Sequence, residues 1–158
     1  MSQVTTSNTS AEKLQEGLRQ QILTWTLGEQ YFGMHIDRCR EVVRDRQVTK
    51  VPYAKDYVAG IVNLRGEVVT VLDLSIMLGY KKDNEVKDAY VIIRLKSDTK
   101  HVSIKADNIS DVLEIDESKI EPTPAHLNEM ETRYISSVAM TEKGLVIILN
   151  ADEILKAS

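Results

Sequence analysis

The chain of 158 residues has 20 Lys and Arg against 24 Asp and Glu, and this net charge of −4 argues against a nucleic-acid binder that relies on overall positive charge. Aromatic residues make up 5%, too few for a platform that stacks single-stranded bases. Hydrophobic residues, at 42%, supply enough core for one domain or for two small, closely packed subdomains.

The sequence predicts a cytoplasmic protein with no direct membrane insertion. No apolar run approaches the roughly 20 residues that a membrane-spanning helix needs. Cys39 is the single cysteine, so an intramolecular disulfide is impossible, which fits a reducing cytosol. Residues 1–19 begin with small polar side chains and lack the basic and apolar regions of a secretory signal, so we expect a flexible N-terminal tail.

Short β-branched runs bounded by turn residues predict strands in the first half at about 21–27, 31–36, 58–64 and 68–72. The segment Ile36–Val43 is ambiguous. Val42 and Val43 favour a strand, whereas the spacing of the charges before them favours a helical turn. A short helix is expected at Asp73–Leu78, closed by Gly79.

A charged segment at 81–88 is the predicted boundary between two β-rich halves. Strands beyond it are predicted at about 89–95, 101–106, 109–115, 134–140 and 145–149. Pro122 and Pro124 are expected to keep Glu121–Ala125 irregular. The last predicted element is a short C-terminal helix at 151–156.

The two halves share a repeated hairpin pattern. When Tyr57 is aligned with Tyr134, Asp73 falls on Asn150 without a gap, and in both copies this residue follows a strand and can cap a short helix. The many short strands predict an all-β fold with a few short helices. Because the hairpin pattern occurs twice, we expect two small barrels that share a core.

Arg65 lies at the turn of the first of these hairpins. Val58–Leu64 and Val68–Leu72 flank Arg65-Gly66-Glu67, and Gly66 can take the positive φ that a tight turn requires. A cation fixed on a rigid turn is a contact point and is not by itself a catalytic group.

The sequence contains no recognisable catalytic, cofactor or metal motif. His35, His101 and His126 lie in different segments, without a partner at metal-ligand spacing. Glycine-rich phosphate loops and the G-x-S-x-G pattern are absent, so neither a cofactor nor enzyme activity is expected. Cys39 is interpreted as a small buried hydrophobe rather than a nucleophile. A triad assembled from distant segments stays open as an alternative.

The segment Tyr57–Leu74, Y-V-A-G-I-V-N-L-R-G-E-V-V-T-V-L-D-L, closely resembles the signature of the CheW family of bacterial chemotaxis coupling proteins. The resemblance extends over residues 20–156. It implies a CheW-like domain at 20–158 with two five-stranded, SH3-like β-barrel subdomains packed on a shared apolar core. The first barrel would cover about 20–87 and the second about 88–150.

The resemblance also implies a non-catalytic adaptor. Proteins of the CheW family bridge the cytoplasmic tips of chemoreceptors, the methyl-accepting chemotaxis proteins, to the regulatory domain of the histidine kinase CheA. Such a cytoplasmic protein would be recruited to membrane-associated receptor arrays. The alternative is a CheW-like scaffold for a non-chemotaxis two-component pathway, which Arg65 alone does not distinguish.

Carried over residue by residue, the resemblance implies a receptor-binding role for Arg65 of the N-L-R-G segment and for Glu41. The other residues assigned to that face are Cys39, Gly60, Ile109 and Val112. Glu121 and His126 are assigned to the kinase contact. The family often has a basic residue and an aromatic at these two places, so the kinase contact of this protein is expected to differ in charge or to be absent.

Overall fold

The computed structural model describes residues 18–80 and 89–158. The predicted flexible tail, apart from its last two residues, and the charged segment at 81–88 lie outside these ranges. The first range forms the strands β1 (Arg19–Leu27), β2 (Gln30–His35), β3 (Cys39–Arg46), β4 (Val58–Leu64) and β5 (Glu67–Leu72). A 3-10 turn at Ile36–Arg38 leads into β3, and the short helix α1 (Leu74–Met77) follows β5.

The second range begins with β6 (Tyr90–Leu95), β7 (Val102–Ala106) and β8 (Asn108–Asp116). A 3-10 turn at Glu117–Lys119 connects β8 to the short strand β9 (Ile120–Pro122). The remaining elements are α2 (Glu129–Tyr134), β10 (Ile135–Thr141), β11 (Gly144–Leu149) and α3 (Ala151–Ala157).

The strands form two sheets, and each sheet takes strands from both halves of the sequence. Sheet A has the order β8-β1-β2-β11-β10-β9, and sheet B has the order β3-β6-β7-β5-β4. Strands β1 and β2 lie among strands of the second half, whereas β6 and β7 lie among strands of the first half. The predicted barrel boundary near residue 87 stays a prediction. Each sheet, however, contains one pair of strands from the other half of the sequence.

Buried apolar side chains form three clusters, one between the two sheets and one within each sheet. The shared core lies between the sheets and includes Trp25 and Phe32 from sheet A with Ile93 and Leu95 from sheet B. A second cluster belongs to sheet A alone, and a third, with Val69 and others, belongs to sheet B alone. Each sheet is therefore apolar on both faces, as a curled sheet with its own interior and a packed outer face must be.

Each sheet curls because the chain returns from one edge to the other. After β3, Thr49 pairs with Ile61 of β4 through two backbone hydrogen bonds of 2.9 and 2.8 Å. After β8, the strand β9 pairs with β10 at the opposite edge. The all-β class and the two packed, barrel-like subdomains are confirmed, although strand pairing in the described ranges does not close either sheet completely.

Three elements differ from the sequence-based expectation. The ambiguous segment is a 3-10 turn followed by strand β3. The region expected to be irregular begins with β9, which makes sheet A six-stranded rather than five-stranded. Pro122 is tolerated because it ends an edge strand. The helix α2 was not predicted, although Asn128 and Glu131 form a capping box at its start.

Candidate functional site

The turn between β4 and β5 holds Arg65 in an uncommon backbone conformation. Arg65 has φ 55° and Gly66 has φ 82°, the combination of a type I′ hairpin turn. The side chain of Asn63 accepts a hydrogen bond of 3.0 Å from the Gly66 amide and stabilises the turn. Because the turn projects beyond the strands, 85% of the Arg65 side chain is exposed.

The structure brings Arg65 and Glu41 together, although 24 positions separate them in the sequence. The Arg65 Nη2 atom lies 3.3 Å from Glu41 Oε2. Glu41 is on the edge strand β3, whereas Arg65 follows β4 at the other edge of sheet B. The ion pair therefore spans one open end of the curled sheet.

Arg94 lies beneath this ion pair and is a site residue that the sequence reasoning missed. It is 2% exposed, and its Nη1 atom is 3.2 Å from Glu41 Oε1. Its Nη2 atom bonds to Glu67 and lies 2.8 Å from His101 Nδ1. Glu41, Arg65, Glu67, Arg94 and His101 form what we call the charged cluster. The sequence feature that could have indicated a buried Arg94 is a single arginine within the otherwise apolar strand Tyr90–Leu95.

The opposite charges of the cluster shift the pKa values of Glu67 and Arg94. The hydrogen bond from Arg94 is the main cause that lowers the pKa of Glu67 below 4.5, with smaller contributions from the charges of Arg94, His101 and Arg40. The hydrogen bond to Glu67 is also the main cause that raises the pKa of Arg94, and Glu41 adds to it. Glu67 is therefore a carboxylate and Arg94 a cation at neutral pH.

A second group of predicted site residues lies on the other face of sheet B and at the edge of sheet A. Facing residues of an antiparallel pair point to the same side. Cys39 faces Leu95 and Val112 faces Leu23, and both Leu residues belong to the shared core. Ile109 also packs against this core. Val42, which the sequence reasoning did not assign, faces Ile93 of the same core. We call Cys39, Val42, Ile109 and Val112, four partly or largely exposed residues on the side of the shared core, the apolar margin.

The thiol of Cys39 is not activated. Burial, and to a lesser degree the charge of Asp37, raises its pKa to about 12. Its sulfur lies 3.8 Å from the carbonyl oxygen of His35, a weak hydrogen bond donated by the thiol. Because the thiolate is the nucleophilic form, Cys39 is an apolar packing residue in this geometry.

Gly60 is buried and lies away from the charged cluster. Its φ is +153°, and a Cβ atom at this position would lie 2.7 Å from the carbonyl carbon of Thr49. The glycine allows the segment after β3 to approach β4, so it shapes the curl of sheet B. Contact between Gly60 and a partner stays a prediction.

Glu121 lies in β9, at the edge of sheet A opposite β8, and His126 lies in the segment between β9 and α2. Both are exposed, and Glu121 faces Val138 of β10. Glu121 thus belongs to sheet A and the charged cluster to sheet B, and contact of Glu121 and His126 with the kinase stays a prediction.

Neither a metal centre nor a membrane-spanning helix emerges from the residues that the structure describes. They contain no group of three or more His, Cys, Asp or Glu arranged to hold a metal ion. None of their helices combines the length and the apolar character needed to cross a bilayer.

Comparison with known proteins identifies the family. The model of the CheW-like domain matches residues 21–158. A chemotaxis protein CheW of Rhizobium meliloti is 29% identical over 146 residues, which cover 92% of each chain. One of Helicobacter pylori is 28% identical and covers 86% of this chain and 81% of its own.

A solved structure with a similar fold agrees with this result. The crystal structure of the scaffolding protein TtCheW from Thermoanaerobacter tengcongensis superimposes with a TM-score of 0.72 at 31% sequence identity. The match covers 84% of this chain and 89% of that one. The chain belongs to the CheW-like domain family.

Proposed function

We propose that this protein is a non-catalytic adaptor that couples the cytoplasmic tips of chemoreceptors to the histidine kinase CheA. Its relatives are named chemotaxis proteins, and the solved structure is that of a scaffolding protein. The observation that carries the receptor assignment is the exposed Arg65 guanidinium, held by Glu41 at the tip of a rigid hairpin.

The receptor would contact two features, the apolar margin on the side of the shared core and Arg65 at the open end of sheet B. The apolar margin offers a surface for the apolar face of a helix, and the chemoreceptor tip is a helical hairpin. Arg65 would add a charged contact that fixes the register of the helix, since rim charges contribute mainly to specificity and association rate. A buried arginine anchor in such an interface typically contributes about 2 kcal/mol or more.

The kinase would bind elsewhere, on the edge of sheet A that carries Glu121 and His126. A protein that contacts two partners at once needs two separate surfaces, and Glu121 lies in sheet A, at the edge opposite β8. Recruitment to membrane-associated arrays would follow from receptor binding, in a protein that is otherwise cytoplasmic.

Co-sedimentation with receptor-containing membranes and CheA tests the proposal. Wild-type protein should bring the kinase to the membranes and raise its autophosphorylation, whereas the folded Arg65→Ala variant should do both much more weakly. Arg44→Ala is the matched control, because it removes a positive charge from an exposed position of sheet B outside the charged cluster.

Equal receptor binding by wild type and a folded Arg65→Ala variant would refute the assigned receptor contact. If the wild type binds neither chemoreceptor nor CheA, the chemotaxis role is wrong, and the alternative of a scaffold for another two-component pathway takes its place.

A further inference from the structure

Arg94 is a buried cation in the middle of sheet B. It lies on β6 between Ile93 and Leu95, which are 0% and 1% exposed. A buried charge is costly unless its hydrogen bonds are satisfied by opposite charges. Glu41 on β3 and Glu67 on β5 meet this requirement from two different strands.

The two carboxylates also extend the network from Arg94 towards solvent. Glu41 binds Arg94 through Oε1 and Arg65 through Oε2, so one carboxylate joins the buried cation to the exposed one. The Glu41 side chain is only 16% exposed, which limits its freedom to turn away. Glu67 in the same way joins Arg94 to His101, at 3.0 Å from its Nδ1 atom.

We propose that Arg94 is a positioning residue for the exposed face of the charged cluster. Its planar guanidinium binds two carboxylates in a fixed geometry, and Glu41, held in this way, orients Arg65. The orientation of Arg65 is thus a property of the free protein. That this orientation serves receptor binding rests on the proposed function.

A partner of the charged cluster must carry charges that complement it. Beside Arg65, the cluster exposes Glu67 and His101, whose side chains are 42% and 51% exposed. A receptor helix would need a carboxylate facing Arg65 and a hydrogen-bond donor or cation facing Glu67. Charges of the opposite arrangement would be rejected by repulsion.

The first test needs no partner. The Nη–H signals of Arg65, recorded at low temperature, are assigned in a ¹H–¹⁵N spectrum by their loss in Arg65→Ala, and their hydrogen exchange with water is measured. We expect exchange to be about twofold faster in Arg94→Met and in Glu41→Gln than in wild type, because an exposed ion pair provides protection of about this size.

Control variants separate positioning from stability. Val71→Ala removes a buried side chain from the interior of sheet B outside the charged cluster, and it should leave the Arg65 signal unchanged. Arg94→Lys keeps the charge without the planar fork and should restore little of the protection. Unchanged Arg65 exchange in folded Arg94→Met overturns the proposal, and Arg94→Lys, which keeps the buried charge, decides it in the same way if Arg94→Met does not fold.

The second test is a double-mutant cycle on affinity for receptor-containing membranes. Arg94→Met should weaken binding about fivefold in the wild-type background and less than about twofold in the Arg65→Ala background, as expected for coupled residues. Equal losses in both backgrounds overturn a role through Arg65. If wild type binds no receptor while Arg65 exchange still depends on Arg94, the positioning role is supported and the proposed function is wrong.

Discussion

Asp73 and Asn150 make the same two kinds of contact at equivalent positions of the two subdomains. Each backbone amide donates to a tyrosine carbonyl, Asp73 to Tyr57 at 2.7 Å and Asn150 to Tyr134 at 2.8 Å. Each side chain caps the following helix, with hydrogen bonds of 3.1 Å from Ser75 and 3.3 Å from Glu153. The repeat in the sequence is thus a repeat of hydrogen bonds.

Removal of the two caps should cost different amounts. Asn150→Ala should lower the free energy of unfolding by about 1 kcal/mol, the usual cost of a lost cap. Asp73→Ala should cost about 2 kcal/mol, because it also removes the ion pair with Lys105, 3.3 Å away. Asp73→Asn is the control that keeps the cap and loses the ion pair. Urea unfolding measures all three, and equal costs for the two alanine variants would contradict the prediction.

Substitution of Arg65 by the residue that its turn prefers should separate stability from binding. Asn-Gly is the favoured pair in a type I′ turn, whereas the backbone of an arginine at φ 55° is strained. Arg65→Asn should raise the free energy of unfolding by about 0.5 kcal/mol and weaken receptor co-sedimentation. Thermal unfolding and the sedimentation assay measure the two effects, and a clear loss of stability would show that the Glu41 ion pair outweighs the strain.

Two glycines of the same hairpin should respond differently to alanine. Gly60→Ala should destabilise by more than about 3 kcal/mol, because the new Cβ would collide with the backbone of Thr49. Gly66→Ala should cost about 1 kcal/mol, because nothing lies within 4 Å and only the left-handed backbone is strained. Circular dichroism and denaturant titration measure both variants, and similar costs would mean that the segment around Thr49 moves aside.

The charged cluster should weaken in acid. The pKa of Glu67 in the folded protein lies below 4.5, so its bond to Arg94 stabilises the fold at pH values above 4.5 and is lost as the pH falls through the folded pKa. Glu67→Gln removes this ionisation. The difference in unfolding free energy between wild type and Glu67→Gln should therefore be constant at neutral pH and shrink below pH 4.5. A difference that does not change with pH would contradict the prediction.

Cys39 should react slowly with alkylating reagents. Burial raises the pKa of its thiol to about 12, so very little thiolate exists at neutral pH. We expect labelling by iodoacetamide at least about a hundredfold slower than that of an exposed cysteine. The protein in denaturant is the control and should react at the ordinary rate. Fast labelling of the folded protein would show that Cys39 is accessible and activated.

The sequence was sufficient for most strands but not for the charged cluster. Strands with β-branched runs and bounding turn residues were predictable, because that pattern is local. Strand β3 stayed ambiguous, because its charges alternate with its valines and suit either a strand or a helical turn. The burial of Arg94 was not predictable, because its partners Glu41 and Glu67 are 53 and 27 residues away. Only the pairing of β3 with β6 and the position of β5 bring these charges together.

The exchange of strands between the halves makes the protein a single cooperative unit. A fragment that ends before β6 would contain β1 and β2 without β8 and β11, the strands on either side of them. Its Trp25 and Phe32 would lose Ile93 and Leu95, their apolar neighbours across the shared core. Thermal unfolding should therefore follow one transition. Two fragments cut between residues 80 and 89 would be unfolded when separate and could fold only by assembling with each other.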